Sequence, residues 1–269
     1  MKKIIILLAV AFSLQSCNNE KSKSHENSGT TVQNNRKTQR DLNNTSENFE
    51  GKKDPNDFIP EGYLIHSYEG GISAEGFDEI KGDLNKDGLE DIVLIIKGTD
   101  KSKIIQDEYQ GELDRNRRGI IVLLNKGNYY QLASKNYDCF SSENEDGGIY
   151  FAPELNVSIS KGTLRIEYGH GRYGYWNYTF RYQNGDMELI GYDEHSSRGP
   201  VPQYEVSINF STKKKVRKDN LNKDFDGEDA YPVNYKETRT NFNIVKPVRL
   251  SEIEDFDELD VSKIIMQDL

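Results

Sequence analysis

The chain has 269 residues, 35% of them hydrophobic and 30% charged, which leaves room for one large or two small domains and excludes a polytopic membrane protein. Forty-five acidic residues against 35 basic ones leave a formal charge of −10, so no whole-chain field attracts nucleic acid or an anionic membrane surface. Sixteen Tyr, 11 Phe and 22 Gly lean towards strands and turns more than helical bundles.

At the start, Lys2 and Lys3 precede a nearly unbroken apolar run over residues 4–14. The run is too short for the ~20 residues of a membrane-spanning helix, and it reads as an export signal. It ends in Leu14-Gln15-Ser16-Cys17, which resembles the bacterial lipobox. That resemblance implies a signal peptide over residues 1–16 and a diacylated Cys17 as the mature N-terminus. The expected address is the bacterial outer membrane, with the membrane as partner through the lipid anchor. Asn18-Asn19-Glu20-Lys21 lacks the acidic cluster of surface-exported lipoproteins, which favours the periplasmic face. The only other cysteine is Cys139, and a lipid-modified Cys17 cannot pair with it, so no internal disulfide is expected.

Residues 17–57 are rich in Asn, Ser, Thr, Lys and Glu, with Val32, Leu42 and Phe49 as the large apolar exceptions. Such a stretch cannot bury enough surface to offset its ordering entropy and reads as a disordered tether. As a flexible coil its reach is on the order of 35 Å.

Residues 58–269 read as one β domain. Residues 91–97 (DIVLIIK) and 119–124 (GIIVLL) are β-branched runs, too short and too apolar for surface helices, and are expected to be central strands. Turn signals at residues 125–128, at Lys161-Gly162 and at Asn184-Gly185-Asp186 mark hairpins. Residues 203–210 alternate, with Val206, Ile208 and Phe210 on one face. Residues 101–118 are charged and read as a long excursion between strands, and the basic run 213–218 reads as a charged edge strand. Ser251-Glu252-Ile253-Glu254 fits a capping box, with Phe256 and Leu259 following at helical spacing. The expected fold is mainly β, an antiparallel sandwich or partial propeller-like sheet with a short C-terminal helix.

One segment carries a strong chemical signal. In residues 83–91 (DLNKDGLED), oxygen-bearing side chains alternate and glycine stands sixth. In a tight loop Asp83, Asn85 and Asp87 can turn inwards while Gly88 takes the sharp turn. Three carboxylates, Asp83, Asp87 and Asp91, with the Leu89 carbonyl make an all-oxygen set suited to a hard cation, calcium before magnesium. An EF-hand requires glutamate at position twelve, where Leu94 stands inside a predicted strand. Acid at position nine followed by a β-branched strand resembles the calcium loop of FG-GAP or VCBS-type repeats, as in integrin α-subunit propellers. The resemblance covers about residues 80–134 and implies calcium ligands Asp83, Asn85, Asp87, Asp91 and the Leu89 carbonyl. A propeller needs ~4 to 8 blades, and one good repeat is present. Residues 222–230 echo the loop, with Ala230 at the ninth position.

Other constellations are weaker. Around residues 169–182, alternation puts Trp176, Tyr178, Phe180 and Tyr182 on a core face and Tyr173, Tyr175, Asn177 and Arg181 on the other. Tyr173, Tyr175 and Arg181 are the candidate ligand contacts, for a glycan or an envelope protein. His66, His170 and His195 show no ligand spacing, Gly71-Ile72-Ser73-Ala74-Glu75-Gly76 misses the nucleophile elbow by one position, and Cys139 reads as buried. The reading is a tethered, calcium-stabilised binding or scaffolding domain of the cell envelope. Its rival is a polysaccharide or peptide hydrolase, which a pocket uniting His170 or His195 with two carboxylates would favour.

Overall fold

The computed structural model describes residues 51–66, 80–144, 153–224 and 232–267. The signal segment with Cys17, residues 17–50 of the tether, residues 71–76, Glu145 and residues 225–230 lie outside them. In chain order the strands are β1 (Tyr63–Ile65), β2 (Ile80–Gly82), β3 (Asp91–Gly98), β4 (Ile104–Asp107), β5 (Gly111–Asp114), β6 (Arg118–Asn125) and β7 (Tyr130–Phe140). After these come β8 (Glu154–Ser160), β9 (Thr163–Gly169), β10 (Gly174–Gln183), β11 (Asp186–Arg198), β12 (Val201–Asn209), β13 (Lys214–Asn220), β14 (Tyr235–Asn243) and β15 (Met266–Gln267).

The expected antiparallel sandwich is what forms. One sheet runs β1-β3-β6-β7, with β2 also paired to β3. The other is a meander in which β8 to β15 follow one another as neighbours, and β4-β5 is a separate hairpin. Residues 92–96 and 120–124 are apolar without a break because β3 and β6 are buried on both faces. Val93, Ile95, Ile120, Val122 and Leu124 join the main core with Leu164, Ile166, Tyr168, Tyr178 and Phe180 of the meander. Ile92, Leu94, Ile96, Ile121 and Leu123 form a second cluster under Phe58, Ile59, Tyr63, Tyr130, Leu132 and Tyr137.

The described structure takes in residues before Phe58. Lys52 pairs with Tyr130, its N–H donating to the Tyr130 carbonyl at 3.2 Å, and Pro55–Phe58 forms one 3-10 turn capped by Asp54. Backbone pairing needs no apolar side chain, so composition does not mark it. The excursion is likewise structured: a 3-10 turn at Lys101–Lys103 leads into the β4-β5 hairpin.

Two expectations need correction. The basic run 213–218 is not an edge strand, since β13 pairs with β12 on one side and β14 on the other. Neighbouring carboxylates make this tolerable: Lys218 Nζ lies 3.1 Å from Glu205, and Arg217 Nη2 lies 2.8 Å from Asp219. The capping box at Ser251 starts no α-helix. Leu250–Glu252 is a 3-10 turn without a side-chain cap, and the short C-terminal helix is α1 (Val261–Ile264), capped by Asp260, which accepts the Ser262 N–H at 2.9 Å. Leu250, Ile253 and Phe256 are each needed in the core, and the sheet competes for their backbone. The Asn136 side-chain amide donates to the carbonyls of Leu250 and Ile253 at 2.8 and 2.6 Å, and Phe256 N–H donates to the Cys139 carbonyl at 2.9 Å. These bonds replace the intrahelical ones.

Phe256 closes the sandwich at this end. Its ring stacks on Phe140 with centroids 5.1 Å apart and meets the edges of Tyr178 and Phe180 at 5.1 and 6.1 Å. Phe256→Ala is expected to cost about 3–5 kcal/mol of unfolding free energy. Tyr175→Ala, on the exposed side of β10, should change it by less than about 0.5 kcal/mol. Urea unfolding of both variants measures the contrast, and equal losses would show that the C-terminal segment does not pack as described.

Candidate metal centre

The acidic segment is a closed hairpin loop. β2 and β3 are antiparallel with Gly82 opposite Asp91, so residues 83–90 start and end at one point. Lys86 and Gly88 both turn through positive φ, 63° and 86°, which coils the loop tightly. Leu84 plugs it into the main core, 2% exposed.

That coil aims side-chain oxygens at backbone N–H groups. Asp83 Oδ1 and Asn85 Oδ1 both accept from the Asp87 N–H, at 3.1 and 3.0 Å, so these two oxygens converge. Asp83 Oδ2 accepts from Gly88 N–H at 2.9 Å and Asp87 Oδ1 from Leu89 N–H at 3.0 Å. Asp87 Oδ2 accepts from Asn85 Nδ2 at 2.8 Å, with Lys126 Nζ 3.7 Å away. The Leu89 N–H, then Asn85 and Lys126 among the rest, hold the Asp87 carboxyl below its usual range.

Asp91 has a different part. It is fully buried, and its two oxygens accept the N–H groups of Leu84 at 2.7 Å and Asn125 at 2.9 Å. It thereby ties the loop's start to the end of β6. Burial pushes its pKa up, opposed by those two N–H groups and reinforced by the Asp87 charge. No cation pairs with it among the described residues.

In kind, the donor set fits a hard divalent ion: Asp83, Asn85, Asp87 and Asp91 supply oxygen only, and each carboxylate keeps acceptor capacity beyond the bonds above. The carboxylates do not converge in this conformation. Among the described residues no group of three His, Cys, Asp or Glu side chains is close enough to hold a metal ion. Compared with known proteins, the chain matches no family model, no curated protein and no solved structure. What can be said of function therefore rests on the residues themselves.

The proposed ligand face is only partly assembled. Tyr173 and Tyr175 are 39% and 45% exposed, at the end of a 3-10 turn (Gly171–Tyr173) and the start of β10. Tyr173 packs beside His170, centroids 5.2 Å apart, and Tyr175 stacks on His195 at 5.6 Å. Arg181 is exposed but stands six residues further along the strand, about 20 Å away. Asn177, on the same face by alternation, is buried, and its Oδ1 has no hydrogen-bond partner. Cys139 is fully buried, and burial pushes its thiol pKa well up, so it is no nucleophile.

Sequence reasoning missed a charged knot where Lys97 and Arg118 pair across β3 and β6. Both are nearly buried, and Glu143 answers them, 2.6 Å from Lys97 Nζ and 3.7 Å from Arg118 Nε, with His66 Nε2 3.9 Å away. Burial opposes the Glu143 charge, but the Lys97 hydrogen bond and the neighbouring cations prevail and hold its pKa down. His66 is held below 6.5, chiefly by burial. The signal available in sequence was a lysine and an arginine at the ends of otherwise apolar runs.

Two outcomes are expected. Asp91→Ala leaves two buried N–H groups without acceptors and should cost about 2–5 kcal/mol in chelator, measured by denaturant unfolding. Asp87→Ala should melt near wild type there, because its side chain faces water. Stability should also fall as pH drops. His66, neutral in the fold, loses stability below about pH 6.5, where the unfolded state binds the extra proton. Glu143 contributes above the ordinary Glu range and is lost on acidification through its lowered pKa. Glu143→Gln should flatten the acidic limb of a stability–pH curve.

Proposed function

We propose that the protein is a membrane-tethered cell-envelope lipoprotein whose calcium-binding loop stabilises a β sandwich with a binding or scaffolding role. The observation that carries this reading is the pinned loop: two side-chain oxygens from Asp83 and Asn85 on one N–H, an adjacent Asp87, and a buried Asp91 that no cation among the described residues neutralises. Asp83, Asn85, Asp87 and Asp91 with the Leu89 carbonyl would hold the ion, which supplies positive charge where burial now disfavours Asp91 ionisation. The Asp83, Asn85 and Asp87 side chains would turn from backbone N–H groups to do so. The sequence from Lys2 to Cys17 supports the lipid anchor. The exposed Tyr173 and Tyr175 support a stacking surface for a glycan or envelope protein.

The rival hydrolase has one observation in its favour. Ser197 Oγ lies 2.9 Å from His195 Nε2, and Glu205 Oε1 lies 3.8 Å from His195 Nδ1. Glu205 is also drawn to Lys218, at 3.1 Å, and Ser197 sits within β11, at a register shift after Ser196, with no helix after it. The nucleophile elbow needs both a strained turn and a following helix. The binding reading is therefore preferred. Release of reducing ends from an envelope polysaccharide, abolished by His195→Ala, would reverse that order.

If the loop has the ~10⁻⁴–10⁻³ M affinity of extracellular calcium modules, millimolar calcium should add about 1–2 kcal/mol. Melting of the mature chain should rise in calcium over chelator and hardly in magnesium, and Asp87→Ala should erase the rise. No rise, with no heat of calcium binding, would defeat the calcium reading. Radiolabelled palmitate should mark the wild type and not Cys17→Ala.

A further inference from the structure

The charged excursion over residues 101–118 forms a cavity of about 530 Å³ beside the base of the β4-β5 hairpin. That volume lies within the range of small-molecule sites. The hairpin ends on the pair Ile104↔Asp114, and one residue further out the Arg115 N–H donates to the Lys103 carbonyl at 2.9 Å. Two cationic residues are thus held opposite each other by backbone. Arg117 joins them along the wall. The framework is pinned: the Asn116 side chain exchanges two hydrogen bonds with the Asp100 backbone, at 2.9 and 3.0 Å, and Gly98 N–H donates to the Arg117 carbonyl at 3.1 Å.

The cations and anions of this wall differ in how well they are satisfied. Asp100 accepts the Ser102 N–H and hydroxyl at 2.8 and 2.7 Å, and Asp138 accepts the Tyr63 hydroxyl at 3.0 Å. Arg117 donates to the Asp138 carbonyl at 2.7 Å and pairs with Asp255 at 2.9 Å. Arg115 makes no close ion pair among the described residues, standing only in the field of Asp107, and its Nε is buried without an acceptor. Lys103 is exposed, with Asp100 as the carboxylate in its field. A buried guanidinium N–H without an acceptor is costly, and the planar fork suits two oxygens of one anion. The wall sets Lys103, Arg115 and Arg117 against the carboxylates of Asp100 and Asp138, a small positive excess in a chain of charge −10.

We infer that this cavity is an oxyanion site, in which Arg115 and Lys103 bind a phosphate or carboxylate group of a small ligand. Arg115 supplies the fork, Lys103 the second charge, and Arg117, tied back to Asp138 and Asp255, supports the field from the wall. Nothing in this depends on the calcium loop.

The test is isothermal titration of the mature full-length chain with inorganic phosphate and, separately, D-glucuronate, which distinguishes tetrahedral from planar anions. Saturable binding of at least one is expected, weakening as sodium chloride rises from about 0.05 to 0.5 M. Arg115→Gln should lower the affinity at least tenfold, Lys103→Gln severalfold, and Lys101→Gln, outside the cavity wall, should leave it unchanged. If Arg115→Gln does not fold, Lys103→Gln decides in its place. Saturable binding of neither anion, or binding indifferent to both Arg115→Gln and Lys103→Gln, would overturn the assignment.

Discussion

Strands β3 and β6 present no polar face to water, and the rest of the architecture follows from that constraint. Seven successive residues of each are buried, so the pair needs an apolar layer on both sides. The meander supplies one through Leu164, Ile166, Tyr178 and Phe180, and the chain around Phe58, Tyr63 and Tyr137 supplies the other. A polar group at the ends of this pair must therefore find a partner inside the protein. Asp91 at one end takes two backbone N–H groups, while Lys97 and Arg118 at the other take Glu143.

The same pairing couples the acidic loop to stability. Asp91 starts β3, accepts from Leu84 within the loop and from Asn125 at the end of β6. Charge placed near Asp83 and Asp87 is felt by a carboxylate that burial already disfavours. An ion held by this loop, as proposed, would act on the core through Asp91 without moving a domain.

The meander has a different logic. β8 and β9 bury alternate residues, and further along the sheet an outer face remains where Tyr175, His195, Glu205 and Lys218 stand opposite one another across β10 to β13. A charged strand can sit inside this sheet because Lys218 stands opposite Glu205 and Glu237, Asp219 opposite Lys236, and Arg217 pairs with Asp219 on its own strand. Edge protection is not the only use for lysines on a strand.

Apolar runs, turn dipeptides and alternation are local, and they located β3, β6, the hairpins at Lys161-Gly162 and Asn184-Gly185, and the inward face of β10 from sequence alone. The tight acidic loop was equally legible, because its oxygen-bearing side chains and Gly88 lie within nine residues. Other features were not, among them the place of the C-terminal helix, the interior position of β13, and the meeting of Lys103 with Arg115. Each depends on partners far away in the chain. The Asn136 amide takes the carbonyls of Leu250 and Ile253, β14 covers an edge that composition left open, and backbone pairing beneath a hairpin brings the two cations together. Local pattern determines which face of an element is apolar, whereas long-range hydrogen bonding decides which backbone groups remain available to form the element at all.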